Sequence, residues 1–244
     1  MLQRLEVKKL NLRRKKKLNT TNSKFRSLIT HFDKKSPISE QYRTIRTNIE
    51  FSAVDKSYKT IVVTSAGPGE GKSTTTANLA VVFAQQNKKV LLIDGDLRKP
   101  TVHYTFQLDN TIGLTNILTG QSTCDAAIKS SEVEHLSVLT CGPIPPNPAE
   151  MLGSDAMKKL LEHVAERFDI IIIDSPPVLA VTDAQILANL ADGVVLVTKS
   201  GQTEYDMAIK ATELLKNSRA KLLGAVLNHK DQKQSNYYYY YGNK

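Results

Sequence analysis

Residues 60 to 80 read TIVVTSAGPGEGKSTTTANLA, a β-branched run, a glycine-rich loop ending in Gly-Lys-Ser, and a helix-compatible stretch, in that order. Few folds accommodate such a segment. The apolar run suits a buried strand, the glycines permit a turn that larger residues resist, and the turn delivers backbone N–H groups to a helix N-terminus. The loop matches GxxxxGK[ST] except that Ala66 stands at the first glycine, a tolerable change because Gly67, Gly69 and Gly71 keep it pliable. Its chemistry is phosphate binding. Small residues let N–H groups close around phosphate oxygens, Lys72 reaches the β and γ oxygens, and the Ser73 hydroxyl ligates Mg²⁺. The expected nucleotide-binding set is Gly67, Gly69, Glu70, Gly71, Lys72, Ser73 and Thr74.

The chain around this loop alternates apolar runs with amphipathic stretches, the pattern of an α/β protein with a mostly parallel central sheet and helices on both faces, here of the P-loop NTPase class. Strands are expected over 60–65, 89–96, 136–142, 168–176, 193–200 and 221–229, and helices over 37–51, 72–86, 155–167, 183–191 and 204–218. VLLI and IIII lack polar alternation, as strands covered on both faces should. GPIPPNP at 142–148 has four prolines and reads as a rigid loop beyond a strand end. No internal repeat is visible.

Two carboxylate clusters lie where ligands of parallel sheets bind, at the C-terminal ends of apolar strands. Asp94 and Asp96 end VLLIDGD, and Asp174 ends IIIIDSP. Acids seldom sit unpaired at buried strand ends, so three of them facing one phosphate loop imply a cation between. Asp174 has the position of a Walker B residue. Of the DGD pair, one carboxylate can serve the metal while the other approaches an incoming hydroxyl as base. Arg98 could stabilise phosphate charge or form a surface ion pair.

The formal net charge of +9 is unevenly placed. Residues 1–35 contain twelve basic and two acidic side chains, which leaves the remaining 209 residues near neutral. This basic, flexible arm precedes a folded unit expected over 36–230 and a flexible tyrosine-rich tail over 231–244. The arm is compatible with solvent exposure or with an anionic membrane surface, and nucleic acid is the less favoured partner. Cys124 and Cys141 form no CxxC, which argues against a disulfide framework and against zinc or iron–sulfur sites. The basic N-terminus lacks the apolar stretch of a signal peptide, and no window approaches the roughly 18 to 20 apolar residues of a spanning helix. Five of the nine tyrosines, Tyr237, Tyr238, Tyr239, Tyr240 and Tyr241, stand together in the tail, where no core would bury them.

Taken jointly, AGPGEGKS, LLIDGDLR at 91–98, IIIIDSPP at 170–177 and the tyrosine tail resemble the bacterial tyrosine kinases of capsule and exopolysaccharide assembly, in the form that is separate from its transmembrane activator. The likeness covers about residues 36–244. EQYRTIR at 40–46 resembles the family's oligomerising ExxRxxR pattern through Glu40, Arg43 and Arg46, and GPIPPNPAE resembles its proline-rich loop. Taken as an isolated helix, EQYRTIR would be only an amphipathic segment with i,i+3 charge pairs.

The resemblance implies an ATP- and Mg²⁺-dependent protein-tyrosine kinase that phosphorylates its own tail in trans. In it Lys72 and Ser73 bind phosphates and Mg²⁺, Asp94 is the candidate base, Asp96 and Asp174 organise the metal, and Asn228 contacts adenine. It further implies a ring oligomer, an octamer, that repulsion between phosphorylated tails breaks. Its implied partners are a membrane activator of the polysaccharide co-polymerase type, a cognate phosphotyrosine phosphatase and protein substrates such as sugar-nucleotide enzymes. Its implied location is cytoplasmic, at the inner face of the membrane, and its role is to regulate capsular or extracellular polysaccharide synthesis and export. The nearest rival is a partitioning or site-selection ATPase, whose KGGxGK[ST] loop carries a lysine where this chain has Gly67. A non-catalytic scaffold would not need the full set of Lys72, Ser73, Asp94, Asp96 and Asp174.

Overall fold

The computed structural model of the chain describes residues 28–53 and 57–230. The expected basic arm up to residue 27 and the tyrosine tail, with Tyr237 to Tyr241, lie outside the described residues. Seven strands form one sheet: β1 (Thr60–Ser65), β2 (Val90–Asp94), β3 (Ile128–Ser130), β4 (Leu136–Leu139), β5 (Ile170–Asp174), β6 (Gly193–Lys199) and β7 (Lys221–Asn228). Their order is β3-β4-β2-β5-β1-β6-β7, parallel throughout except for β3 against β4. The parallel sheet expected from the sequence is therefore present, with one short antiparallel edge strand added.

Both faces of the central strands β1, β2 and β5 are covered, which explains their unbroken apolar runs. Ile61, Val63, Ile170 and Ile172 face a layer built by α2 (Pro37–Phe51) and α3 (Lys72–Ala84). Val62, Ile171 and Ile173 face α8 (Asp155–Arg167), α9 (Asp183–Leu190) and α10 (Tyr205–Lys216) on the other side. Helix α3 is buried along its whole length after Thr74, held between α2 and the sheet. An amphipathic stripe cannot serve such a helix, hence its small and apolar composition. Local chemistry starts the outer helices. Ser36 accepts a bond from the Ser39 N–H ahead of Pro37 at the first turn of α2, and Ser154 accepts one from the Met157 N–H to open α8.

The ordered unit reaches back beyond the boundary at residue 36 that charge suggested. Leu28 is buried, and α1 (Ile29–Phe32) is pinned where the Thr30 N–H and hydroxyl donate to Asn78 Oδ1 at 3.0 and 2.8 Å. Charge composition missed this, because Leu28 and Thr30 sit at the apolar end of a basic segment. Four further short helices join the sheet to its edges: α4 (Val102–Phe106), α5 (Leu114–Leu118), α6 (Cys124–Ala127) and α7 (Pro148–Leu152). The proline-rich stretch is irregular up to Asn147, while Pro148 opens α7, where its missing N–H costs nothing. Among the described residues, no helix is long and apolar enough to cross a membrane.

Candidate active site

Sheet order creates the site. Strands β2, β5 and β1 are adjacent and parallel, so their C-terminal ends emerge side by side, and the register pairs Asp94 directly with Asp174. The phosphate loop leaves β1 at the same edge. Gly69 and Gly71 adopt φ of +75° and +90°, and α3 begins at Lys72. Only glycine adopts these angles without strain. Gly71 is required twice over, since a Cβ there would lie 2.0 Å from Asn228 Nδ2.

Lys72 Nζ lies 2.9 Å from Asp96 Oδ2, 3.6 Å from Asp174 Oδ2 and 3.2 Å from Ser73 Oγ. Asp96 Oδ1 accepts the Lys99 N–H at 3.0 Å. Asp94 Oδ2 accepts the N–H groups of Thr101 and Val102 at 3.1 and 3.0 Å, while its Oδ1 is buried without any hydrogen-bond partner. The Thr76 hydroxyl stands 2.7 Å from the Lys72 carbonyl and 3.2 Å from Asp174 Oδ1, and its single proton can serve only one of them. Asp174 Oδ2 receives no hydrogen bond.

These contacts set the electrostatics. Burial, reinforced by the neighbouring Asp174 charge, pushes Asp94 up to about 8. Burial raises Asp174 too, against the pull of Lys72. Desolvation would lower Lys72, but Asp174 and Asp96 outweigh it and raise the ammonium. Three buried carboxyl groups thus share one ammonium, too little positive charge to keep all three ionised, at a site built of hard oxygen donors. That donor set fits Mg²⁺, which takes one or two protein carboxylates and draws its remaining oxygens from phosphate and water. Among the described residues, no three His, Cys, Asp or Glu side chains form a metal cage by themselves.

Other expected site residues take different places. Glu70 is buried in the loop and accepts the Thr203 hydroxyl at Oε1, while Oε2 is unpaired. Asn228 Nδ2 donates to the Glu70 carbonyl at 2.9 Å and Asn228 Oδ1 accepts the His229 N–H, so both ends of this amide serve the chain itself. Thr74, in the first turn of α3, accepts the Asn78 amide at its carbonyl. Gly67 accepts the Ser65 hydroxyl at its carbonyl. Arg98 is held by the buried Asp183 and makes no hydrogen bond or ion pair to the Lys72 cluster.

On α2, Arg43 pairs with the exposed Glu40 and donates to the Lys34 carbonyl, whereas Arg46 Nη1 donates to the Val82 carbonyl in the last turn of α3 at 2.8 Å. Sequence reasoning passed over Thr76, Asp183 and Thr203. Thr76 could have been found as the next inward position of the phosphate-loop helix, four residues after Lys72. Nothing local marks Asp183 or Thr203, whose partners lie 85 and 133 residues away.

Phosphate loop, lysine and strand-end carboxylates together define a P-loop nucleotide-binding α/β protein. Residues 58–219 match the family model described as an AAA domain. The chain is 58% identical over 219 residues to the tyrosine-protein kinase YwqD of Bacillus subtilis (strain 168), covering 90% of this chain and 92% of that protein. It therefore belongs to the bacterial tyrosine-protein kinase family. Among solved structures, the chimerical protein CapA2B2 matches with a TM-score of 0.80 at 49% identity, over 83% of this chain and 89% of that one. The kinase domain of the Escherichia coli tyrosine kinase ETK matches at 0.81 and 31%, over 88% and 84%. The cell division ATPase MinD of Pyrococcus furiosus shares less, with 0.60 at 27% identity over 69% and 71%.

Proposed function

We propose that the chain is an ATP-dependent protein-tyrosine kinase that phosphorylates the tail cluster Tyr237 to Tyr241 of a neighbouring copy. The observation that carries this reading is the convergence of Lys72, Ser73, Asp96 and Asp174 beside Asp94, which keeps one buried carboxylate oxygen free of donors. In the transfer, the tyrosine oxygen bonds to the γ-phosphorus as the bond to the β–γ bridging oxygen breaks, and ADP leaves. The phenolic proton passes to Asp94. Burial that raises Asp94 makes its ionised form a stronger base than an ordinary aspartate. Lys72 spreads positive charge over the β and γ oxygens, and the N–H groups from Gly69 to Thr74 hold the phosphates in line. Bound through Ser73, Asp96 and Asp174, Mg²⁺ would supply further positive charge for the phosphate oxygens.

Each phosphate adds about −1.5 to −2 charges to the tail. A tail carrying several is repelled from a site already holding nucleotide phosphates, so the ring of copies joined through Glu40, Arg43 and Arg46 falls apart as phosphorylation proceeds. The kinase works beside a transmembrane activator of the polysaccharide co-polymerase type, at the inner face of the membrane, with the basic segment that precedes Leu28 against anionic lipid. A cognate phosphatase resets the tail. The process regulates capsular or extracellular polysaccharide synthesis and export, and sugar-nucleotide enzymes are further substrates. The test is intact-mass and peptide mass spectrometry after incubation with Mg²⁺ and ATP, with and without the activator, beside Lys72→Met. Phosphate on Tyr237 to Tyr241 that vanishes in the variant supports the reading. ATP hydrolysis without phosphate on the protein, with activator present, turns it toward a site-selection ATPase.

A further inference from the structure

Arg98 lies two residues after Asp96, close enough in sequence to serve the phosphates, yet its guanidinium is engaged elsewhere. Arg98 Nε donates to Asp183 Oδ2 at 2.9 Å and Nη2 to Asp183 Oδ1 at 3.0 Å. Asp183 opens α9 and is fully buried, so both of its oxygens depend on this one fork. From these contacts we infer that Arg98 and Asp183 form an anchor that positions the β2–α4 loop, and that both are positioning residues, with neither touching phosphate.

The loop between Gly95 and Val102 holds the two carboxylates of the DGD motif through its backbone. The Gly95 N–H donates to the Asp174 carbonyl at 2.8 Å, the Lys99 N–H to Asp96, and the Thr101 and Val102 N–H groups to Asp94. Arg98 stands in the middle of this run, immediately before the first of the carboxylate donors. At one end the loop is already wedged between β5 and α9, because a Cβ on Gly95 would lie 2.8 Å from the Asp174 carbonyl, 2.9 Å from Ile173 and 3.1 Å from Leu187. The bidentate pair adds a second tie to the same helix and fixes orientation as well as distance. Its chemistry also keeps it closed. A guanidinium that swung to the phosphates would strand an ionised carboxylate with no exposed surface, and a buried charge without its partner is strongly unfavourable. Movement of the loop would shift the Asp94 base and the Asp96 ligand together, which couples proton acceptance to metal binding.

The experiment uses the full chain with Asp183→Asn, Arg98→Gln, the double variant, and Arg98→Lys, which keeps the charge and loses the fork. Amide hydrogen exchange on the nucleotide-free proteins is the first readout and does not depend on the kinase reading. Both single variants should lose protection over residues 95–102, with β1 and α3 still protected, and the double variant should be no worse than either single one. The second readout rests on the kinase reading: the Mg²⁺ concentration for half-maximal tail phosphorylation should rise about 10- to 100-fold in both single variants alike. Arg98→Lys should fall between wild type and Arg98→Gln. Unchanged exchange in Arg98→Gln with phosphorylation abolished overturns the anchor and puts Arg98 on the phosphates, and additive losses in the double variant overturn it as well. If Asp183→Asn fails to fold, Arg98→Gln and Arg98→Lys still decide through the exchange readout. A wild-type protein that never phosphorylates its tail refutes the kinase reading and leaves the exchange result standing.

Discussion

Replacing Gly71 by alanine tests the phosphate loop with a single methyl group. At φ +90° an alanine pays about 1–2 kcal/mol for the left-handed backbone. Its Cβ would stand 2.0 Å from Asn228 Nδ2, far inside contact distance, so Asn228 must rotate away and release the Glu70 carbonyl. Losing that hydrogen bond costs about 1 kcal/mol more. The sum, about 2–3 kcal/mol, corresponds to a drop in melting temperature of roughly 5 to 10 °C for a domain of this size. The chain has no tryptophan, so far-UV circular dichroism during thermal and urea unfolding is the suitable assay. Asn228→Ala alone should cost about 1 kcal/mol. In the double variant the alanine meets no amide, so its cost should fall about 1 kcal/mol short of the sum of the single variants. Full additivity, or a Gly71→Ala cost well under 1 kcal/mol, would refute the clash and with it the role of Asn228 in holding the loop.

Arg46→Ala should cost roughly 1–2 kcal/mol in urea unfolding, because its guanidinium serves a carbonyl in the last turn of α3 where the helix dipole favours a cation. Arg43→Ala, which removes a pair with the exposed Glu40, should change stability by less than about 1 kcal/mol. Thr203→Val leaves both Glu70 oxygens without a donor in a buried position and should destabilise the fold by about 1–3 kcal/mol, with Thr203→Ser restoring it. Cys141 is wholly buried, and that burial pushes its thiol up to about 12. Raising the pH from 7 to 9 should therefore leave Cys141 unalkylated by iodoacetamide in the folded protein, with the part-exposed Cys124 reacting first, while urea exposes both; peptide mass spectrometry reads the difference.

Much of the fold was legible because the relevant forces are local or periodic. IIII and VLLI announce strands covered on both faces, and the glycines of the phosphate loop declare backbone angles that other residues resist. Lys72, Ser73, Asp94, Asp96 and Asp174 could be named because each sits at a strand end or helix start that the pattern itself locates. Strand β3 and the short helices could not, since three to five residues carry too little periodicity to read.

What only tertiary structure decided is which groups meet across long separations. Charge and spacing left Arg98 open between phosphate and an ion pair, and a buried carboxylate 85 residues later claims it. Asn228 became a brace for the phosphate loop because β7 ends beside it, and Arg46 became a cap for α3 because α2 packs across that helix's last turn. In each case a polar group withdrawn from water must find a partner, and the partner is chosen by the sheet order that brings distant strand and helix ends together. The sequence by itself determined the chemistry available to this protein; the packing of its layers decided which of those groups remain free to use it.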